Sequence, residues 1–330
     1  MLEHGGRLRE AARRYAIPLA DWLDLSTGIA PWSWPLPPIP ASAWMRLPEE
    51  QDGLEAAASR YYGGDHPLPL PGSQAAIQAL PRLRRAGRVG VLAPCYAEHA
   101  DAWRRAGHLL REISETEVEH HLPELDVLVV VNPNNPSGRR LDNGVLLDWH
   151  AQLQHRGGWL VVDEAFMDCT AEHSLVPSCA SRPGLVVLRS FGKFFGLAGA
   201  RLGFAFAEPV LLAALRDSLG PWTVNGPTRC VAQAVLGDFQ GHSERRQALA
   251  EGSRRLAALL GIQGVAAHGG TGLFQWAMSA QAAALHEHLA QRGILVRLFE
   301  RPSSLRFGLP PDEAGWARLE HALEQWQQAQ

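Results

Sequence analysis

Lys193 stands within VVLRSFGKFFGLAGARLGFAF, residues 186–206, a stretch whose side chains are chiefly apolar or small. A lysine in an apolar setting either finds a partner or gives up its proton, because desolvation penalises the charged form. The neutral amine is a nucleophile. The first chemistry to expect here is therefore attack on a carbonyl.

The ends of other segments supply what such a lysine would work with. PGSQ (71–74) is a glycine-serine turn that opens a helix, and helix starts direct N–H groups at anions. Gly72, Ser73 and Gln74 are thus candidate phosphate ligands. APCY closes a strand with Tyr96, VNPNNPSG with Asn135, LVVDEAF with Asp163 and VVLRSFGK with Ser190 and Lys193; Arg201 follows eight residues later. Singly, these read as a cap, a turn, an ion pair and a snorkelling lysine. Together they place a phosphate cradle, an aromatic plate, an amide, a carboxylate and an amine on the ligand-binding edge of a parallel sheet. Pyridoxal phosphate needs that set: a lysine for its aldehyde, a carboxylate for its ring nitrogen, an aromatic face, and donors for its phosphate. Rival phosphate motifs fail. Val187 and Phe194 break the P-loop pattern around Gly192-Lys193, and no strand leads into G-x-G-x-x-G.

The elements that must position these residues alternate. Helical patterns lie at about Gly6–Ala16, GLEAAASRYYGG, SQAAIQALPRLRRAG, EHADAWRRAGH and LDNGVLLDWHAQLQHRGG. Between and after them come the strands RVGVLAP, DVLVVVNP, WLVVDEAF, GLVVLRSF and ARLGFAFA. The alternation predicts an α/β fold with a mostly parallel sheet covered on both faces. Residues 31–48 carry six prolines and read as an extended arm. Past Gly237 the strands thin to LFQWAM, ILVRLF and SLRFGL among helices, as in a smaller α+β unit. The expected division is an N-terminal arm (1–40), a large domain (41–237) and a small C-terminal domain (238–330).

The 330 residues carry a net charge of −3 with acids and bases intermixed, which argues against nucleic acid as a partner. The four cysteines form no C-x-x-C pair, which argues against a zinc site or a disulfide framework and fits a reducing cytoplasm. The N-terminus has no apolar signal core and the apolar runs are too short to span a bilayer. His286 and His288, two apart on a helix, face different ways and do not make a metal pair; His120-His121 reads as a solvated loop.

The order PGSQ, Tyr96, NPNNPSG, DEAF, SFGKFFGLAGARLG, LRFGL resembles the fold-type I pyridoxal phosphate enzymes of the aminotransferase superfamily over nearly the whole chain. The resemblance implies a large domain with a seven-stranded-type sheet and a homodimer. It makes Lys193 the lysine that binds the cofactor aldehyde and pairs Asp163 with the pyridine nitrogen. Asn135 then donates to the ring hydroxyl and Tyr96 stacks on the ring, while Gly72, Ser73, Gln74, Ser190 and Arg201 take the phosphate. Arg306 in SSLRFGL becomes the clamp for the substrate α-carboxylate. Three positions depart from the pattern: Gly192 where a Ser or Thr is usual, Phe166 where many relatives have Tyr, and Leu47 in RLP where R-Y-P is common.

Arg297 in ILVRLF resembles the phosphate-handling arginine of histidinol-phosphate aminotransferases. The EHGG opening, with His4, resembles that of L-threonine-O-3-phosphate decarboxylases of cobalamin synthesis, as do Phe166 and the compact length. The resemblance therefore implies decarboxylation of a phosphorylated amino acid, with His4 and Arg297 on its phosphate. Histidinol-phosphate transamination is the enzymatic alternative, and a non-catalytic protein of the same fold is the other.

Overall fold

The computed structural model describes residues 4–329. Its chain contacts divide into two units: residues 34–135 with 140–243, and residues 1–33 with 136–139 and 244–330.

The first unit is built on seven strands: β1 (Leu68–Leu70), β2 (Arg88–Leu92), β3 (Leu109–Ile113), β4 (Val127–Val131), β5 (Trp159–Asp163), β6 (Leu185–Ser190) and β7 (Gly203–Phe206). They lie in the order β1-β7-β6-β5-β4-β2-β3. The neighbours from β3 to β6 pair in parallel, and β7 pairs antiparallel with both β6 and β1. All five residues of β4 are buried, as a strand covered on both faces requires. Val89, Val91, Val127, Val129, Val161, Val186 and Leu188 share one core with Ile77, Leu80 and Trp103 from the covering helices.

Sequence and structure agree on the helices Leu54–Tyr62, Glu98–Arg105 and Asn143–Gln154. The helix expected from Ser73 runs only to Ala79 and tightens into a 3-10 turn at Leu80–Leu83, where Pro81 removes a backbone donor. β3 is an edge strand, four of its five residues at least partly exposed, so it lacks the apolar run that marks a strand in sequence. His120 and His121 end a short helix, Val118–His121, and are not loop residues. The proline-rich stretch admits one helical turn, Ser42–Met45.

The second unit carries β8 (Gly269–Thr271), β9 (Phe274–Met278), β10 (Arg297–Glu300) and β11 (Ser303–Gly308) in an antiparallel sheet of order β10-β11-β9-β8. The N-terminal segment is part of this unit. Leu23 and Asp24 pair in parallel with Ile294 and Leu295, and Ala11 and Trp22 share a small core with Ala290. The Leu25 carbonyl accepts from Gly308 N at 2.7 Å, which ties residues 23–26 to the end of β11.

Candidate active site

In the first unit the expected residues gather at the carboxyl ends of β4, β5 and β6. Val131 of β4 lies opposite Asp163 of β5, and Asn132 N donates to the Asp163 carbonyl at 2.9 Å, so the turn that carries Asn135 starts beside the aspartate. β6 runs alongside and delivers Ser190, after which the single turn Phe191–Phe194 holds Lys193. The lysine Nζ lies 5.7 Å from the centre of the Phe166 ring.

Asp163 is 3% exposed. Its Oδ1 accepts from Ala165 N at 3.0 Å and its Oδ2 is 2.9 Å from His99 Nε2. His99 is 1% exposed, so the carboxylate is held from two sides and shielded from water. Sequence reading missed His99. The signal was there: a histidine three residues after Tyr96 stands in the first turn of the next helix and shares its side.

The phosphate residues meet where two elements start. Gly72 has φ +76°, and a Cβ on it would sit 2.7 Å from the Arg201 guanidinium. Only glycine serves there, because a side chain would fill the space that guanidinium faces. Gly203, at the start of β7, is so close to Ser73 N that a Cβ would reach 2.5 Å from it. Arg201 itself is exposed, in a left-handed conformation (φ 52°). Tyr96 is half-buried and donates to Gln74 Oε1 at 3.2 Å. Its pKa is pushed up to about 12 by burial and by Glu98 and Asp163, so the ring stays a neutral phenol. Gly192 is small for a packing reason: a Cβ there would lie 2.8 Å from Ala198 Cα. Leu47 is 64% exposed.

A buried ionic cluster stands behind these strand ends. Arg189 donates to Glu164 at 2.9 Å and to Asp168 at 2.7 Å, with all three side chains at most 1% exposed. Leu175 N and Ser174 Oγ also donate to Glu164, and Tyr61 OH donates to Asp168 at 2.9 Å. Glu164 and Arg189 each follow or precede a site residue, Asp163 and Ser190, and alternation along a strand sends them to the opposite face. Neither was singled out from sequence.

The second unit holds the remaining candidates. Arg306 is 5% exposed and donates to the Ser26 carbonyl at 2.8 Å. Burial and the nearby Arg297 lower its pKa to about 10, partly offset by Asp24. Arg297 lies opposite Arg306 in the β10–β11 register. The glycines after His4 dock on the same Ser26: Gly6 N donates to its Oγ at 2.8 Å, and a Cβ on Gly5 would fall 2.3 Å from its carbonyl oxygen. His4 is half-buried at the start of this segment. Among the described residues no cluster of His, Cys, Asp or Glu could hold a metal ion, and no helix is long and apolar enough to cross a membrane.

Pyridoxal phosphate fits the first unit's set. The glycine-lined space at Gly72 and the Arg201 guanidinium suit its phosphate, and the enclosed Asp163 suits a protonated ring nitrogen.

Comparison with known proteins finds similarity along nearly the whole chain. A Pseudomonas aeruginosa protein named threonine-phosphate decarboxylase is 68% identical over 323 residues, 98% of this chain and 97% of that protein. One of the same name from a Sinorhizobium species is 44% identical over 97% of each chain. The crystal structure of histidinol-phosphate aminotransferase from Sinorhizobium meliloti in complex with pyridoxal-5'-phosphate superposes with a TM-score of 0.83 at 19% identity, covering 99% of this chain and 96% of that one. Residues 48–323 match the family described as aminotransferase class I and II, and the chain belongs to that family.

Proposed function

We propose that this protein is a pyridoxal phosphate-dependent decarboxylase of L-threonine O-3-phosphate, releasing carbon dioxide and (R)-1-amino-2-propanol O-2-phosphate for cobalamin synthesis. The observation that carries the reading is the 68% identity, nearly end to end, with the Pseudomonas protein of that name.

When bound, the cofactor supplies an aldehyde that captures the substrate amine and a ring that accepts the electron pair left on the α-carbon. The chain's own residues do the rest. Ser73, Gln74, Ser190, Arg201 and the Gly72 turn would hold the cofactor phosphate, Asn135 would donate to the ring hydroxyl, and Tyr96 would supply the aromatic face for the ring. Asp163, fixed by His99 and Ala165 N, would keep the ring nitrogen protonated. Lys193 would hold the aldehyde, and its Nζ is the group that would return a proton to the α-carbon. Arg306 takes the carboxylate; Arg297 and His4 take the substrate phosphate. A homodimer belongs to the same proposal, with the exposed Trp44 and Met45 of the proline-rich segment as its contact.

The test is mass spectrometry of the products after the cofactor-loaded protein meets L-threonine O-3-phosphate. An amine lighter by one carbon dioxide is expected. A substrate converted to its keto acid, or left intact, would overturn the reading.

A further inference from the structure

The antiparallel sheet of the second unit sets three side chains in a row. Arg297 of β10 lies opposite Arg306 of β11, and Arg306 lies opposite Trp276 of β9. Directly opposed residues of antiparallel strands share a face, with Cβ atoms about 4.5–5.5 Å apart. Two arginines and a tryptophan therefore start side by side from one face of the sheet.

Trp276 is 8% exposed, yet its Nε1–H meets no acceptor among the described residues. An enclosed donor left without an acceptor is a cost to the fold, removed when an acceptor arrives. Gly269 of β8 lies opposite Trp276 on one side, and a Cβ there would sit 3.9 Å from Trp276 Cε3. On the other side its neighbour across the register is Arg306.

The row is also rich in positive charge. Asp24 is the acid that offsets Arg306, against the repulsion from Arg297. Arg297 and Trp276 stand two strand spacings apart, about 9.5 Å, so they address different anionic groups.

We infer that Trp276 is a substrate-binding residue whose Nε1–H donates to the substrate α-carboxylate beside Arg306, leaving the substrate phosphate to the Arg297 end of the row. The inference rests on the functional reading above and extends it to a residue that neither the motifs nor the resemblance indicated. The donor type suits the reaction. The carboxylate loses its charge as carbon dioxide departs, so a second cation on it would hold the ground state back. A neutral N–H orients the group with a weaker grip than a charge-assisted bond.

Two titrations test this on the protein loaded with pyridoxamine phosphate, which has no aldehyde to capture the substrate amine and so leaves the substrate intact: one with L-threonine O-3-phosphate and one with 1-amino-2-propanol O-2-phosphate, which lacks the carboxylate. Trp276→Phe keeps an aromatic ring and removes the N–H. Its dissociation constant for the first ligand should rise about five- to tenfold, the worth of one hydrogen bond, with the second ligand within twofold of wild type. Equal weakening of both ligands, or of neither, overturns the inference. In the wild-type protein, one indole N–H resonance should move downfield on adding the first ligand and stay in place on adding the second. If no indole resonance moves selectively, the inference fails even where Trp276→Phe does not fold. A wild-type protein that binds neither ligand brings down the functional reading and this residue's role together, whereas unselective effects bring down the role alone.

Discussion

His99 Nε2 lies 2.9 Å from Asp163 Oδ2, and the two side chains are 1% and 4% exposed. A carboxylate so enclosed keeps its orientation only while its partners remain. Replacing His99 by Phe fills the volume and leaves an oxygen of Asp163 without that partner. A hydrogen bond to a charged group contributes about 1.5–3 kcal/mol, so cofactor affinity should fall roughly 10- to 100-fold. Titration of the apoprotein with pyridoxal phosphate, followed by its absorbance, reads this directly. Unchanged affinity would show that Asp163 is held by the backbone alone.

The Arg189 cluster gives a pH-dependent prediction. Glu164 is raised above its ordinary 4.5 because burial outweighs the attraction of Arg189 and its hydrogen bonds. An acid raised by folding binds its proton more tightly in the native state. Its contribution is present below the ordinary value and is lost as pH rises through the native one. Arg189→Met removes the attracting cation and raises Glu164 further. At pH 7 the variant should lose about 3–5 kcal/mol, the cost of breaking a buried pair, and the gap to wild type should narrow at pH 5. Urea unfolding at both pH values checks it; a gap that is constant or widens toward pH 5 rules the account out.

The placement of the proposed cofactor residues was readable because strand ends are marked by apolar runs and turn residues. Lys193, Asp163 and Asn135 could be found that way, and the parallel sheet with them. What escaped was held by partners distant in sequence. His99 is 64 residues from Asp163, and Ser26 is 280 from Arg306. Arg189 sat in plain view beside Ser190, but a charged residue in a strand reads as solvated until the fold supplies Glu164 and Asp168. The edge strand β3 escaped for a related reason: one face of an edge is wet, so its sequence lacks the apolar run that revealed β4.

The N-terminal glycine pair makes a separable test. Gly5 has no room for a Cβ, which would fall 2.3 Å from the Ser26 carbonyl oxygen that accepts from Arg306. Gly5→Ala must push either the N-terminal segment or Ser26 aside, and Ser26 carries Arg306 with it. Misplacing the group proposed to take the substrate carboxylate should raise KM about tenfold, equivalent to 1.4 kcal/mol. The absorbance of the bound cofactor should be that of wild type, because the residues proposed to hold the cofactor belong to the other unit. Steady-state kinetics beside the absorption spectrum separates the two. A variant with wild-type KM would show that the glycines serve only to start the chain.

Arg297 and Arg306 set binding against stability. Two cations opposed across β10 and β11 repel, and Arg306 is too buried for water to screen them fully. Without substrate that repulsion is a cost; with an anion between them it becomes attraction. Arg297→Met keeps much of the aliphatic length and removes one charge. Relief of about 1 kcal/mol should raise the melting temperature of the ligand-free protein by roughly 2 °C, given the size of the chain. The same change should weaken the substrate more than tenfold, since a charge-assisted contact to phosphate is lost. Inorganic phosphate should raise the melting temperature of the wild type, and the same change should abolish most of that rise. Thermal melts with and without phosphate, read beside KM, decide the point. A variant that melts lower and binds as well as wild type would mean that Arg297 holds the small sheet together and has no part in substrate recognition.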